Sequence, residues 1–268
     1  AEHWIPILGS RIRNVHFKEF TKKGTDYSLE TFRPLLDGTT NWPAVMANLD
    51  AAGYRGYVTF EYFHPWLHYP EALVSRALAY EKIGNREKAK DDYLKAISAS
   101  PKYLPAYNNL ASLLIESKIY NDALYYVNKA LSIDPNYYYA FYNRGLINYY
   151  NRDYQESVKD FSKAIELSPK ELAYYYRAMS YYKLGLLENA ILDLETIKKT
   201  SSSELVFSQL ARMKIEKSDP AALDDINRAI EIKEDAYYYF LRSRINVRLG
   251  KTQDAINDIN VAIKLSGV

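Results

Sequence analysis

The sequence contains no cysteine. Disulfides, thiolate metal sites and thiol nucleophiles are therefore excluded. Long hydrophobic runs are also missing: the longest, such as LASLLI at 110–115, fall far short of the ~20 residues a membrane helix needs. Neither charge dominates, with 35 Lys+Arg against 33 Asp+Glu and a formal charge of +2. That balance gives no electrostatic footprint for DNA or RNA. Histidine and tryptophan vanish after the first quarter: His3, His16, His64, His68, Trp4, Trp42 and Trp66 have no counterpart beyond position 68. The opening AEHWIPILGSR carries neither a basic-then-apolar leader nor an initiating Met. It is expected to lie inside a longer polypeptide. Absence of cysteine and of a leader is compatible with a cytoplasmic setting.

What is present is a chain of 268 residues, 48% hydrophobic, enough for one large domain or two smaller ones with real cores. Tyrosine is abundant, and 22 of the 27 follow Pro70. The change of composition near Tyr69-Pro70 divides the chain into 1–69 and 70–268.

The second segment repeats itself. PEALVSRALAYEKIGNREKAKDDYLKAISASPKY (70–103) aligns with 104–137, then with 138–170, 171–202, 203–235 and 236–268. Periods of this size are the mark of stacked supersecondary units. Each copy reads as two short amphipathic helices. In the second, Tyr107, Leu110, Ala111 and Leu114 make one apolar face. A break follows at Ser117-Lys118, then Ala123, Val127 and Ala130 mark a second helix that Pro135 stops. Small residues recur at fixed places. Ala77, Ala111, Gly145, Ala178 and Ser243 hold position 8, and Ala89, Ala123, Ser157, Ala190, Ala222 and Ala255 hold position 20. Ala96, Ala130, Ala164, Ala229 and Ala262 hold position 27. Helix axes approach to about 8 Å only where contact residues are small. Tyr80, Tyr93, Phe161 and Tyr181 would fill the wider gaps.

At these residues the segment resembles the tetratricopeptide repeat (TPR) family. The resemblance implies an α-solenoid of about six helix-turn-helix copies, whose first helices face a protein or peptide partner. Positions 2, 5, 6, 9, 12 and 13 would face inward. The candidate peptide-binding residues are then Asn109, Tyr139, Tyr142, Asn143, Tyr149, Tyr175, Tyr182, Arg244 and Arg248. Asn109 and Asn143 stand one copy apart and could hydrogen-bond an extended backbone, with tyrosines supplying apolar area and a polar tip. The competing reading of the same tyrosines is packing between copies, in an engineered structural fusion with no ligand. The family's clamp for C-terminal carboxylates is not expected, because Val74 and Leu78 occupy two of its places. The fourth and fifth copies depart from the pattern, with Ile197 in an alanine position. No polar capping helix follows Leu265, so the array is expected to be cut short there, or its last copy to pack on a neighbour. Nothing in 70–268 suggests catalysis, a metal or a cofactor.

In the first segment RIRNVHFKEF (11–20) and GYVTFEYF (56–63) read as strands, and NWPAVMANLDAAGY (41–54) as a helix between them. That order implies parallel pairing in a small α/β segment. At VHFKEF, at LLDGTTNWPAVMANLDAAGYRG and at YVTFEYF with HYPEAL, residues 1–75 resemble the last quarter of the xylose-isomerase-like sugar phosphate isomerase/epimerase barrels. The resemblance implies a TIM-type barrel with a divalent metal. Here His16 would be a metal ligand, Glu61 a closing ligand and acid/base, and Lys18 a substrate contact. The family's earlier Glu and Asp ligands do not occur between Ala1 and these residues, and two strands cannot close a barrel. His16, Lys18 and Glu61 are therefore read as vestigial, with a metal only if the rest of the barrel is supplied. The leaning is away from an enzyme. Exposed strand edges leave self-association open. Pro70-Glu71-Ala72-Leu73 fits both the barrel's last helix and the first repeat helix, as a fusion, natural or engineered, would require.

Overall fold

The computed structural model describes residues 70–267, position 51 and two short strands. The chain divides into two units, Ala1–Trp66 and Leu67–Val268. In the first, β1 (Val15–Phe17) and β2 (Val58–Phe60) pair in parallel, with Val15 opposite Val58 and Phe17 opposite Phe60. The helix expected over 41–54 falls outside the described residues apart from position 51.

The second unit is an α-solenoid of twelve helices among the described residues. They are α1 (Pro70–Lys82), α2 (Arg86–Ala99), α3 (Leu104–Glu116), α4 (Tyr120–Ile133), α5 (Tyr138–Tyr150) and α6 (Tyr154–Leu167). Then follow α7 (Glu171–Lys183), α8 (Leu187–Lys198), α9 (Glu204–Glu216), α10 (Ala222–Ile232), α11 (Ala236–Arg248) and α12 (Thr252–Ser266). Odd-numbered helices open each copy and even-numbered ones close it. The turn between the two needs a left-handed residue. Gly84, Gly185 and Gly250 adopt it freely, whereas Lys118, Arg152 and Ser218 adopt it against their Cβ atoms.

Side-chain size fixes the stacking. Ala77, Ala111 and Ala178 at position 8, and Ala89, Ala123, Ser157 and Ala190 at position 20, are wholly buried. Large residues sit opposite: Tyr93, Phe161, Leu194 and Ile226 at position 24 are fully enclosed. The tightest fit is Gly145, where an added Cβ would lie 2.9 Å from the Phe161 ring. Phe161 is 0% exposed and has no room to withdraw.

A second periodic device joins the helices of a copy. Arg76 pairs with Asp92, Arg144 with Asp160, Arg177 with Asp193 and Arg242 with Asp258, each sixteen residues apart. The arginine stands at position 7 of its first helix and the aspartate at position 23 of the second. Asn148 and Asn246 add a donor to Asp160 and Asp258, each at 2.9 Å. Arg177 also donates to Ser162, and Arg242 to Asn227, in the preceding copy. One guanidinium thereby ties three helices together with planar, multidentate hydrogen bonds.

Two copies lack the pair. The second has Leu110 and Tyr126 in its place, within the apolar core. The fifth keeps Asp225 but has Gln209 at position 7. Asp225, 0% exposed, is served instead by Lys214 at 2.7 Å and Lys198 at 2.5 Å.

Candidate functional site

First helices of successive copies touch at four of the five junctions, and least between α7 and α9. Side chains span that junction. The Arg212 guanidinium lies 4.7 Å over the Tyr182 ring, and the Tyr182 hydroxyl donates to Glu216 at 2.5 Å. A cleft of about 360 Å³ opens beside them, walled by Tyr149 and Tyr150 from α5, Tyr175, Tyr176 and Tyr182 from α7, and Gln209 and Arg212 from α9. In the fifth copy Asp225 is held by lysines, and Gln209, at the place of the pairing arginine, lines the cleft.

The tyrosine wall is rigid. Tyr149 packs edge-on to Tyr150, Tyr154 and Tyr176 at 5.5, 5.7 and 5.8 Å. Tyr175 meets Tyr176 edge-on at 5.5 Å. Burial raises the phenol pKa of Tyr149 and Tyr175, and the Arg212 charge pulls both partly back. The Tyr182 hydroxyl is raised chiefly by its bond to Glu216. Mutual edge-to-face packing holds these rings without a ligand, as a preformed surface requires.

The sequence-derived candidates fall into separate groups. Tyr149, Tyr175 and Tyr182 are brought together at the cleft. Asn109 and Asn143 are linked only through a third amide: Asn143 donates to the Asn108 side chain at 2.9 Å, and Asn108 donates to Asn109 at 3.0 Å. Asn143 is 2% exposed, so position 6 of this copy faces the neighbouring first helix rather than the groove. Tyr142 also packs inward, stacked on Tyr138 and edge-on to Phe161. Burial raises its hydroxyl pKa. Tyr139 is exposed, and Lys170 sits 4.4 Å over its ring while donating to its hydroxyl. Arg244 and Arg248 stand apart from the tyrosines, along a groove of about 470 Å³ between α11 and α12. Arg248 also donates to the Ile215 carbonyl.

His16 lies on β1, while Lys18 and Glu61 lie outside the described residues. Among the described residues no group of three His, Asp or Glu side chains could hold a metal ion. No described helix is long and apolar enough to cross a membrane. α12 exposes Ile256, Ile263 and Leu265.

Gln209 and Arg212 were not among the sequence candidates. They occupy positions 7 and 10 of their copy, which normally point toward the closing helix. The available signal was the missing arginine at position 7 of the fifth copy.

Comparison with known proteins agrees with this architecture. Tetratricopeptide repeat models match residues 70–103, 104–137 and 138–171. A xylose isomerase-like TIM barrel model matches residues 1–83, overlapping the first repeat along α1. Similar solved structures include PilF of Pseudomonas aeruginosa, 18% identical with a TM-score of 0.66 over 73% of this chain and 90% of that one. PilW, a widely conserved type IV pilus biogenesis factor, is 21% identical with a TM-score of 0.63 over 70% and 90%. YrrB, a TPR protein with an unusual peptide-binding site, is 20% identical with a TM-score of 0.57 over 65% and 91%. At these identities the likeness is one of fold. No curated protein matches the chain.

Proposed function

We propose that the array is a scaffold that binds an extended segment of a partner protein along its first helices, centred on the tyrosine cleft between the third and fifth copies. The carrying observation is the aromatic-walled cleft beside α5, α7 and α9, at the junction where successive first helices touch least. Tyrosine suits such a role because it offers large rigid contact area and a polar tip at small entropic cost. Within this reading Tyr149, Tyr175 and Tyr182 touch the partner, with Tyr139 and Asn109 extending the path. Tyr142 and Asn143 position their neighbours. Arg244 and Arg248 form a separate end of the surface. The repeat boundaries at 70–268 and the preceding unit at 1–69 belong to the same proposal.

Display selection of random peptides on the full chain, followed by titration of the selected peptides, tests it. Tyr182→Ala should weaken binding by about tenfold or more, the usual consequence of truncating a central aromatic anchor. Tyr125→Ala, on the exposed face of a closing helix, should leave it unchanged. Equal effects from both variants would move the site elsewhere.

A second reading attaches to residues 1–83, whose match to a xylose isomerase-like barrel supports descent from a metal-dependent sugar phosphate isomerase or epimerase joined to the repeats. His16, Lys18 and Glu61 are its candidate residues. Metal analysis of the purified chain separates this reading from the first.

A further inference from the structure

We propose that the tyrosine cleft selects a carboxylate, carried by the bound segment as an acidic side chain or as a free C-terminus, and that Arg212 is the residue that reads it. The inference rests on the binding reading above and names its chemistry. Three observations carry it.

The first is charge. The charged side chains lining the cleft are Lys183 and Arg212, both cationic, and no carboxylate lines it among the described residues. The second is an unmet bonding capacity. Arg212 Nε is shielded from water without a hydrogen-bond partner, and so is Gln209 Oε1 one turn away. Elsewhere in the array arginines that are turned inward meet aspartates, as Arg144, Arg177 and Arg242 do. Arg212 has no such aspartate. The nearest acidic residue along its helix, Glu216, takes the Tyr182 hydroxyl instead. A half-buried guanidinium without a counter-ion is costly unless something supplies one.

The third is orientation. Stacking on Tyr182 at 4.7 Å holds the guanidinium plane in place. The planar fork is then set for a two-oxygen acceptor before the ligand arrives. A carboxylate meets the guanidinium at its terminal nitrogens, which are not among the shielded atoms, and Lys183 adds attraction at the rim. The tyrosines pack against whatever flanks the acid. These positions differ from those of the family's C-terminal clamp, where this chain has Val74 and Leu78.

The probe is a set of octapeptides randomised over residues other than Asp and Glu and titrated against the full chain in four forms: with Glu or Gln at the centre, and with a free or an amidated C-terminus. Peptides with at least one carboxylate should bind ten-fold or more tighter than the Gln amides. The preference should disappear in Arg212→Met and survive in part in Arg212→Lys. A preference for Glu in amidated peptides assigns the side chain as the source, and a preference for the free acid in Gln peptides assigns the terminus. Thermal melting of Arg212→Met controls for folding. Its midpoint should equal or exceed that of the parent, because an unpaired cation is removed. A lower midpoint would contradict the unpaired state. Peptides that bind without acid preference, yet weaken with Tyr182→Ala, overturn the carboxylate proposal alone. Absence of binding by every peptide overturns both readings.

Discussion

Arg177→Met lowers the unfolding free energy of the array by about 3 kcal/mol, the scale expected when one partner of a buried ion pair is removed. Asp193 is 4% exposed and receives two hydrogen bonds from Arg177, at 2.8 and 2.7 Å. Without the arginine its carboxylate stays in the helix interface with no counter-charge. Ser162 loses its donor in the same step. The second copy shows how the defect is repaired. Its equivalent places hold Leu110 and Tyr126, so Arg177→Leu combined with Asp193→Tyr should recover most of the loss. Such recovery is typical where a buried pair gives way to apolar packing of similar volume. Urea unfolding followed by circular dichroism measures both variants. A double variant as weak as the single one would mean that the pair does more than satisfy itself.

Alkaline pH produces the other large effect. Burial pushes the hydroxyls of Tyr137 and Tyr138 up to about 12, and it raises those of Tyr142 and Tyr176 as well. Tyr93, wholly enclosed and bonded to Glu81, is raised in the same direction. A phenol with a raised folded pKa binds its proton more tightly folded than unfolded. Its stabilising contribution is complete below the ordinary value of 10.0 and is lost as pH climbs through about 12. The array should therefore hold its stability up to pH 10 and lose helix steeply beyond it. Tyrosinate absorbance should rise together with the loss of circular dichroism. Ionisation of these phenols near pH 10 with the helices intact would contradict their burial.

Much of this fold was legible in the sequence, because it depends on side-chain volume at a few fixed places. Ala77, Ala123 and Ala164 could be located by counting, and all three are fully buried. The Arg–Asp pairs were also written in the sequence at a spacing of sixteen. They were missed because that spacing crosses from one helix to the next and matches neither a helical nor a strand period. The cleft was half legible. Tyr149, Tyr175 and Tyr182 follow from their positions in each copy. Arg212 and Gln209 do not, since their exposure depends on α9 touching α7 so little. Asn109 and Asn143 stand one copy apart, and Asn108, whose side chain accepts from Asn143, lies between them.

The central claim is that a partner segment lies on the first helices at the opening between the third and fifth copies. Hydrogen exchange of the full chain, with and without a selected peptide, tests it most directly. The account predicts slowed exchange concentrated in α5, α7 and α9, with α6, α8 and α10 unchanged. Protection confined to the closing helices, or to the groove between α11 and α12, would contradict it.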